Sequence, residues 1–375
     1  MLASVLINNY NYALYLTECI QSVLDQTYSN IEIIVYDDGS TDNSLEILSE
    51  FNNIKVISNS NYGKGHNLNQ MNAVNKAFEE STGEIIFLLD SDDFFKKNKV
   101  ENIINLYKEN LNVEVIQHSL EEIDESGKSL HTTVPVLKKV RNFKEHIYET
   151  ESLFHLFSMT SGLAFRRSFL EKVLPLEEDD FSYICVDTRL MLIAALQTNT
   201  LTIEDTLTYY RKHGSNAWGK LGDLNNHEDY TRDLYDFFNK IAMGNGQQLI
   251  SYSYNKYLEN TYFYHNLSTE KCIQFVMKNP GKEYYIWGAG EAGQSVYHAL
   301  KDTGLNFQGF IDSDERKQNC LVMDREVLSP ASLYEKDNIN ILISPFHAYE
   351  TIAMILKNQN FIENEHFIFP YMEGE

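Results

Sequence analysis

The sequence is short of positive charge, of grouped cysteines and of long apolar runs, and each shortage removes a class of function. Lysine and arginine total 31 against 54 aspartates and glutamates, a formal charge of -23, so the molecule as a whole repels phosphate backbones and anionic lipid surfaces. Nucleic-acid binding is therefore disfavoured. A single nucleotide is not, because a metal ion, a local cation or a helix N-terminus outweighs the general field at short range. The four cysteines, Cys19, Cys185, Cys272 and Cys320, are scattered without metal-ligand spacing or redox pairing and read as reduced, buried thiols.

The best apolar stretch, LMLIAAL at 190–196, is far shorter than the ~20 residues a membrane span needs. The N-terminal MLASVLINNYNY has neither the basic start nor the small-residue cleavage site of a secretion signal, and its apolar run breaks at Asn8 and Asn9. These features read as a cytoplasmic protein without a membrane span, peripheral to a membrane only through a partner, an acceptor or a local patch. What is present, 375 residues at 43% apolar with no biased tract, suffices for two or three folded domains.

The opening third alternates short β-rich runs with amphipathic segments, the pattern of a parallel sheet flanked by helices. Strands are predicted at SVLI (4–7), IEIIVYDD (31–38), IKVISN (54–59) and EIIFLLD (84–90), with helices over 15–27, after Ser40 and Thr41, and around 66–81. Residues 113–220 are mixed, VEVIQHS and TLTIEDTLTYYRKHGSN being strand-like and VDTRLMLIAALQT helical. From EYYIWGAGEAGQ (283–294) a βαβ pattern restarts. The expected fold class is α/β, with one domain over 1–222, a helical connector over 223–280 and a small Rossmann-like domain over 281–375.

Two acidic groups stand at predicted strand ends, where open α/β sheets bind ligands. Asp37 and Asp38 lead into DDGSTDNS, in which Gly39 permits a tight turn; their carboxylates can accept hydrogen bonds from a base or ribose, or the segment can simply cap a helix. In LLDSDD, Asp90 and Asp92 are two apart, so strand alternation points both to one side, where a hard divalent ion would relieve their repulsion. An acidic strand end is also a common solvated loop.

Together, SVLINNYNYALYLTECIQSVLDQTYSNIEIIVYDDGSTDNS and GEIIFLLDSDD resemble the family 2 glycosyltransferases, inverting GT-A enzymes that use nucleotide-activated sugars. The resemblance covers residues 1–220 and implies a UDP-sugar donor and Mg2+ or Mn2+. It places Asn9, Tyr10, Asp37, Asp38, Asn75, Asp90, Ser91 and Arg211 around the nucleotide-sugar, and Asp90, Asp92 and His213 around the metal. In the family a Glu-Asp pair opens a later helix and its acid is the catalytic base; here VDTRL keeps Asp187 and has Val186 for the Glu. SMTSGLAFRR resembles the acceptor-side loop, with Ser161 and Gly162 as contacts, and YYRKHGSN matches the Arg-x-His-x-x-Asn element that closes many such domains. Taken singly, Asp187 and His213 also read as ordinary polar surface residues.

The glycine turn GAGEAG (Gly288, Gly290, Gly293), with Asp312 nineteen residues later, reads either as a nucleotide-binding turn or as one used for helix packing. The expected function is inverting sugar transfer to a hydroxyl of a glycan, lipid-linked glycan or other acceptor, in surface polysaccharide or glycoconjugate synthesis. Two alternatives stay open, a nicotinamide-dependent sugar oxidoreductase using the glycine turn and a non-catalytic nucleotide-sugar binder. Homo-oligomer formation also stays open.

Overall fold

A strand buried on both faces must be apolar at every position, and IIFLL is such a run: Ile85 to Leu89 are completely buried. Ile86 and Leu88 join one core with Leu6, whereas Ile85, Phe87 and Leu89 join a second with Val5 and Ile7. The alternation places a hydrophobic layer on either side of one sheet. The computed structural model describes residues 1–216, 224–252, 267–278, 281–333, 336, 338–345 and 348–371. It divides into two units, Met1–Ser251 and Tyr252–Glu375.

The strands of the first unit are β1 (Ala3–Asn9), β2 (Ile31–Asp37), β3 (Lys55–Ser58), β4 (Ile85–Asp90), β5 (Phe94–Phe95), β6 (Val115–His118), β7 (Leu120–Ile123), β8 (Ser129–Val134), β9 (Leu163–Arg166), β10 (Thr200–Ile203) and β11 (Thr208–Arg211). Its helices are α1 (Ala13–Leu24), α2 (Ser44–Ser49), α3 (His66–Glu79), α4 (Lys99–Glu109), α5 (Phe143–Thr150), α6 (Arg167–Val173), α7 (Val186–Gln197) and α8 (Leu224–Gly244). The main sheet has the order β10-β6-β9-β4-β1-β2-β3, parallel except for β9, which is antiparallel to both neighbours. A smaller sheet, β5-β11-β7-β8, pairs Thr208 with Phe95 and Tyr209 with Phe94. That pairing brings Arg211 and the residues after it beside Asp90–Asp93, across more than a hundred residues of chain.

Helix α1 buries Leu16, Cys19, Ile20 and Val23, and Leu24, expected on the same stripe, is 39% exposed at its end. Helix α8 lies within the span expected as a connector, yet its Leu234, Tyr235, Phe237 and Phe238 are part of the first unit's core. The 222/223 boundary and residues 253–266 lie outside the described residues. Among the described residues no helix is long and apolar enough to cross a membrane.

In the second unit, β12 (Glu283–Trp287), β13 (Phe307–Ile311), β14 (Leu321–Val322), β15 (Arg325–Leu328), β16 (Ile339–Ile343) and β17 (Phe367–Ile368) form a sheet of order β14-β15-β13-β12-β16-β17. All its pairs are parallel except β14 with β15. Tyr284 and Ile286 face one core, Tyr285 and Trp287 the other.

Candidate active site

Parallel pairing sets Asn9 beside Asp37 where β1 and β2 end. Asp37 is fully buried: Oδ2 accepts from Asn9 Nδ2 (2.7 Å) and Ser40 Oγ (2.6 Å), and Oδ1 accepts from the Ser40 amide (2.9 Å). Asp38 accepts from the Tyr62 amide (3.0 Å), Asn61 Nδ2 (2.9 Å) and Asn69 Nδ2 (2.8 Å), and burial pushes its carboxyl up. Both carboxylates therefore build the strand-end turn, each accepting three hydrogen bonds. Gly39 is required there, at φ 72° and with a Cβ that would stand 2.5 Å from the Asn61 nitrogen. Tyr10, just past β1, is 45% exposed at this edge.

The second acidic group is arranged differently from the expectation. Strand β4 stops at Asp90, and the Asp93 amide donates back to the Asp90 carbonyl (3.0 Å), so a turn rather than strand alternation places Asp92. Asp90 Oδ1 accepts from Asn8 Nδ2 and Gln70 Nε2, both at 2.8 Å. Burial, followed by the charge of Asp92, pushes the Asp90 carboxyl up to about 7; the same causes hold Asp93 well above the usual carboxylate range. Ser91 is buried, and its hydroxyl has no hydrogen-bond partner among the described residues.

Crowded carboxylates are the environment that a divalent cation relieves, so Asp90 and Asp92 suit an oxygen-ligated ion in charge and type. The expected set with His213 is not assembled, however. Among the described residues no group of three or more His, Cys, Asp or Glu side chains converges as a metal site. His213 Nε2 instead lies 2.9 Å from Asp92 Oδ2, and its ring packs against Tyr15 and Tyr12 at 5.1 and 5.5 Å. Nδ1 accepts from the Ser215 amide (3.2 Å), and Asn216 Nδ2 also stands 3.2 Å from Nε2.

Asp187 occupies the first turn of α7 and is 9% exposed. Its Oδ2 accepts from the Thr160 amide (2.9 Å) and hydroxyl (3.0 Å), and its Oδ1 from the Thr188 amide (2.5 Å). Burial raises its pKa against those bonds. Gln70 Nε2 also reaches Thr160 Oγ1 (3.2 Å), so Asp90 and Asp187 are joined through two intervening side chains.

Several of the expected contact residues are engaged within the protein. Arg211 is 2% exposed: Nε donates to the Asp92 carbonyl (3.2 Å), one terminal nitrogen to the Glu125 carbonyl (3.0 Å), and the other to Glu18. Asn75 exchanges two hydrogen bonds with the Leu176 backbone (2.8 and 3.0 Å), which leaves it holding a loop. Ser161 is fully buried, accepting from the Asp90 amide (3.1 Å), and Gly162 is buried with no room for a Cβ, so both support β4 from behind.

A family model described as Glycosyl transferase family 2 matches residues 4–174. Residues 4–174 belong to glycosyl transferase family 2. An uncharacterized glycosyltransferase of Nostoc is 37% identical over 224 residues, 58% of this chain and 66% of the relative. Streptococcus pneumoniae glycosyltransferase GlyG is 41% identical over 112 residues, 29% of this chain and 36% of the relative. Escherichia coli chondroitin synthase is 34% identical over 130 residues, 34% of this chain and 18% of the relative. The chain thus spans less than two thirds of these proteins. Among solved structures, S. aureus TarS residues 1–349 with UDP-GlcNAc is similar at 18% identity and a TM-score of 0.48, over 80% of this chain and 82% of that one.

The family 2 match and the α/β sheet together define a GT-A fold. The family 2 match ends before Asp187, Arg211 and His213, which the same unit brings back to the end of β4. Sequence reading missed Asn8, Gln70 and Thr160; the only signal for Gln70 is the amide-rich run HNLNQMNAVN on a helix beside the sheet. Outside the family 2 match, the second unit's Gly288 takes φ 104°, and a Cβ on Gly293 would meet the Gly288 carbonyl at 1.7 Å, so both glycines are demanded by packing. Asp312 accepts from the Ala289 amide (2.9 Å), the Asp314 amide (2.9 Å) and Lys317 (3.3 Å), which closes the turn on itself.

Proposed function

We propose that the chain is a metal-dependent, inverting glycosyltransferase that moves a sugar from a UDP-sugar to an acceptor hydroxyl in surface polysaccharide or glycoconjugate synthesis. One observation carries the reading beyond family membership. Asp187, on a helix outside the matched region, is hydrogen-bonded through Thr160 and Gln70 to Asp90 at the end of β4. An acceptor-activating carboxylate and a donor-side carboxylate thus share one buried network.

In this reading Asp38, Tyr10 and Asn9 form the nucleoside edge, and Asp90 and Asp92 hold Mg2+ or Mn2+ with the diphosphate. The bound ion supplies charge compensation for the departing nucleoside diphosphate. Asp187 takes the proton of the acceptor hydroxyl as that oxygen attacks the anomeric carbon. Burial makes Asp187 a stronger base than an exposed aspartate, while the Thr188 and Thr160 donors favour its ionised form. The committed Asp312 carboxylate gives no support to a nicotinamide-dependent reading of the second unit.

Two measurements test this. A thermal-shift screen of UDP-glucose, UDP-galactose and UDP-N-acetylglucosamine, each with and without Mn2+, should raise the melting temperature for one donor only with the ion, by the equivalent of about 2.7 kcal/mol at a hundredfold excess over Kd. With that donor, Asp187→Asn should lower turnover about 10²–10⁴-fold and leave UDP affinity intact. Full turnover in chelator, or wild-type turnover by Asp187→Asn, would overturn the metal or the base respectively. UDP-sugar binding without hydrolysis or transfer to any acceptor would favour a non-catalytic binder.

A further inference from the structure

Helix α3 carries the amide run HNLNQMNAVN, and its side chains end on different parts of the site. Asn69 donates to Asp38 (2.8 Å) and Gln70 to Asp90 (2.8 Å), while Asn67 donates to the Ser182 carbonyl (2.9 Å) and Asn75 to that of Leu176 (2.8 Å). One rigid element therefore reaches the donor-side carboxylates and the loop that leads into α7.

Gln70 is the branch point. A threonine hydroxyl has a single proton; with the Gln70 N–H directed at Thr160 Oγ1 (3.2 Å), that proton is left to face Asp187 Oδ2 (3.0 Å). The polarity of the chain is fixed from amide to hydroxyl to carboxylate. An amide also suits Asp90 for a chemical reason. It holds the carboxylate oxygen without cancelling its charge, whereas a lysine or arginine there would pair with Asp90 and compete with a cation.

Resting on the glycosyl-transfer reading above, we propose that Gln70 and Thr160 are positioning residues. They form a neutral hydrogen-bond relay that fixes the acceptor-side base Asp187 relative to the donor-side carboxylate Asp90. Neither touches the reacting atoms; both act through the carboxylates they orient.

The test uses the full chain and the UDP-sugar selected in the screen, with UDP release as readout. Thr160→Val keeps the shape and the backbone donor but removes the hydroxyl; Thr160→Ser restores it. Thr160→Val and Gln70→Leu should each lower kcat about 10-fold with donor KM within about 2-fold, and Thr160→Ser should stay within about 2-fold of the parent, as expected when one bond to a charged group is lost and regained. The double variant should be no slower than the slower single, because both remove the same relay. The acid limb of kcat should also move to higher pH in Thr160→Val, since a donor to ionised Asp187 is gone; Asp90, Cys185 and Tyr230, the titratable groups facing Asp187, are present in every variant.

Additive losses in the double variant, or unchanged kcat in Thr160→Val, would overturn the relay while an inactive Asp187→Asn keeps the transfer reading. Wild-type turnover by Asp187→Asn would instead remove the base and the relay with it. Should Thr160→Val fail to fold, Gln70→Leu against the parent carries the same kcat-against-KM comparison, and unchanged kcat there is equally fatal.

Discussion

His213 Nε2 stands 2.9 Å from Asp92 Oδ2, joining the segment just after β11 to the turn after β4. The bond fixes which way the Asp92 carboxylate points, whether the imidazole donates to it or stands beside it around an ion. His213→Ala should therefore weaken Mn2+ binding about 10–100-fold, the usual cost of losing a group that orients a metal-ligating side chain. Electron paramagnetic resonance of free Mn2+ in the presence of UDP reads this directly. Unchanged affinity would show that Asp92 is oriented without the histidine.

The pH profile should carry the signature of a buried base. Burial raises the Asp187 carboxyl, and only the ionised form can accept a proton, so kcat should fall as pH drops through a value above the ordinary aspartate range. Steady-state rates at saturating donor and acceptor measure it. A limb at the pKa of a free aspartate would contradict the buried placement.

Arg211 separates two roles. A diphosphate contact would raise donor KM when replaced, whereas a clamp would cost stability. The guanidinium is closed in by the Asp92 and Glu125 carbonyls, Glu18 and the Tyr15 ring (4.8 Å). Arg211→Lys cannot reproduce the planar fork and should lose on the order of 2 kcal/mol, seen in denaturant unfolding, with donor KM unchanged at a temperature where the variant is folded.

Gly162 should tolerate no side chain. A Cβ there would stand 2.1 Å from Ser158 Oγ and 2.5 Å from the His118 carbonyl, and only the first can rotate away. Gly162→Ala should cost about 1–3 kcal/mol as overpacking does, measured by thermal unfolding. Wild-type stability would mean that the backbone behind β4 yields more easily than its packing indicates.

The sequence by itself determined β1 to β4, their order of appearance and the two acidic strand ends, because these depend on local periodicity, whereas β5, β8 and β9 were not legible in it. The Asp-rich turns, Asp187 and the Arg-x-His-x-x-Asn segment were legible as a family pattern. Tertiary structure alone decided which of those groups remain available. Asp37 is held by Asn9, Asn75 by Leu176, Arg211 by carbonyls at 92 and 125, and those partners come from distant segments that no local pattern encodes. The same cause hid Gln70 and Thr160. Their significance is a matter of where two hydrogen bonds end, and that was fixed only when α3 and α7 were packed against the end of β4.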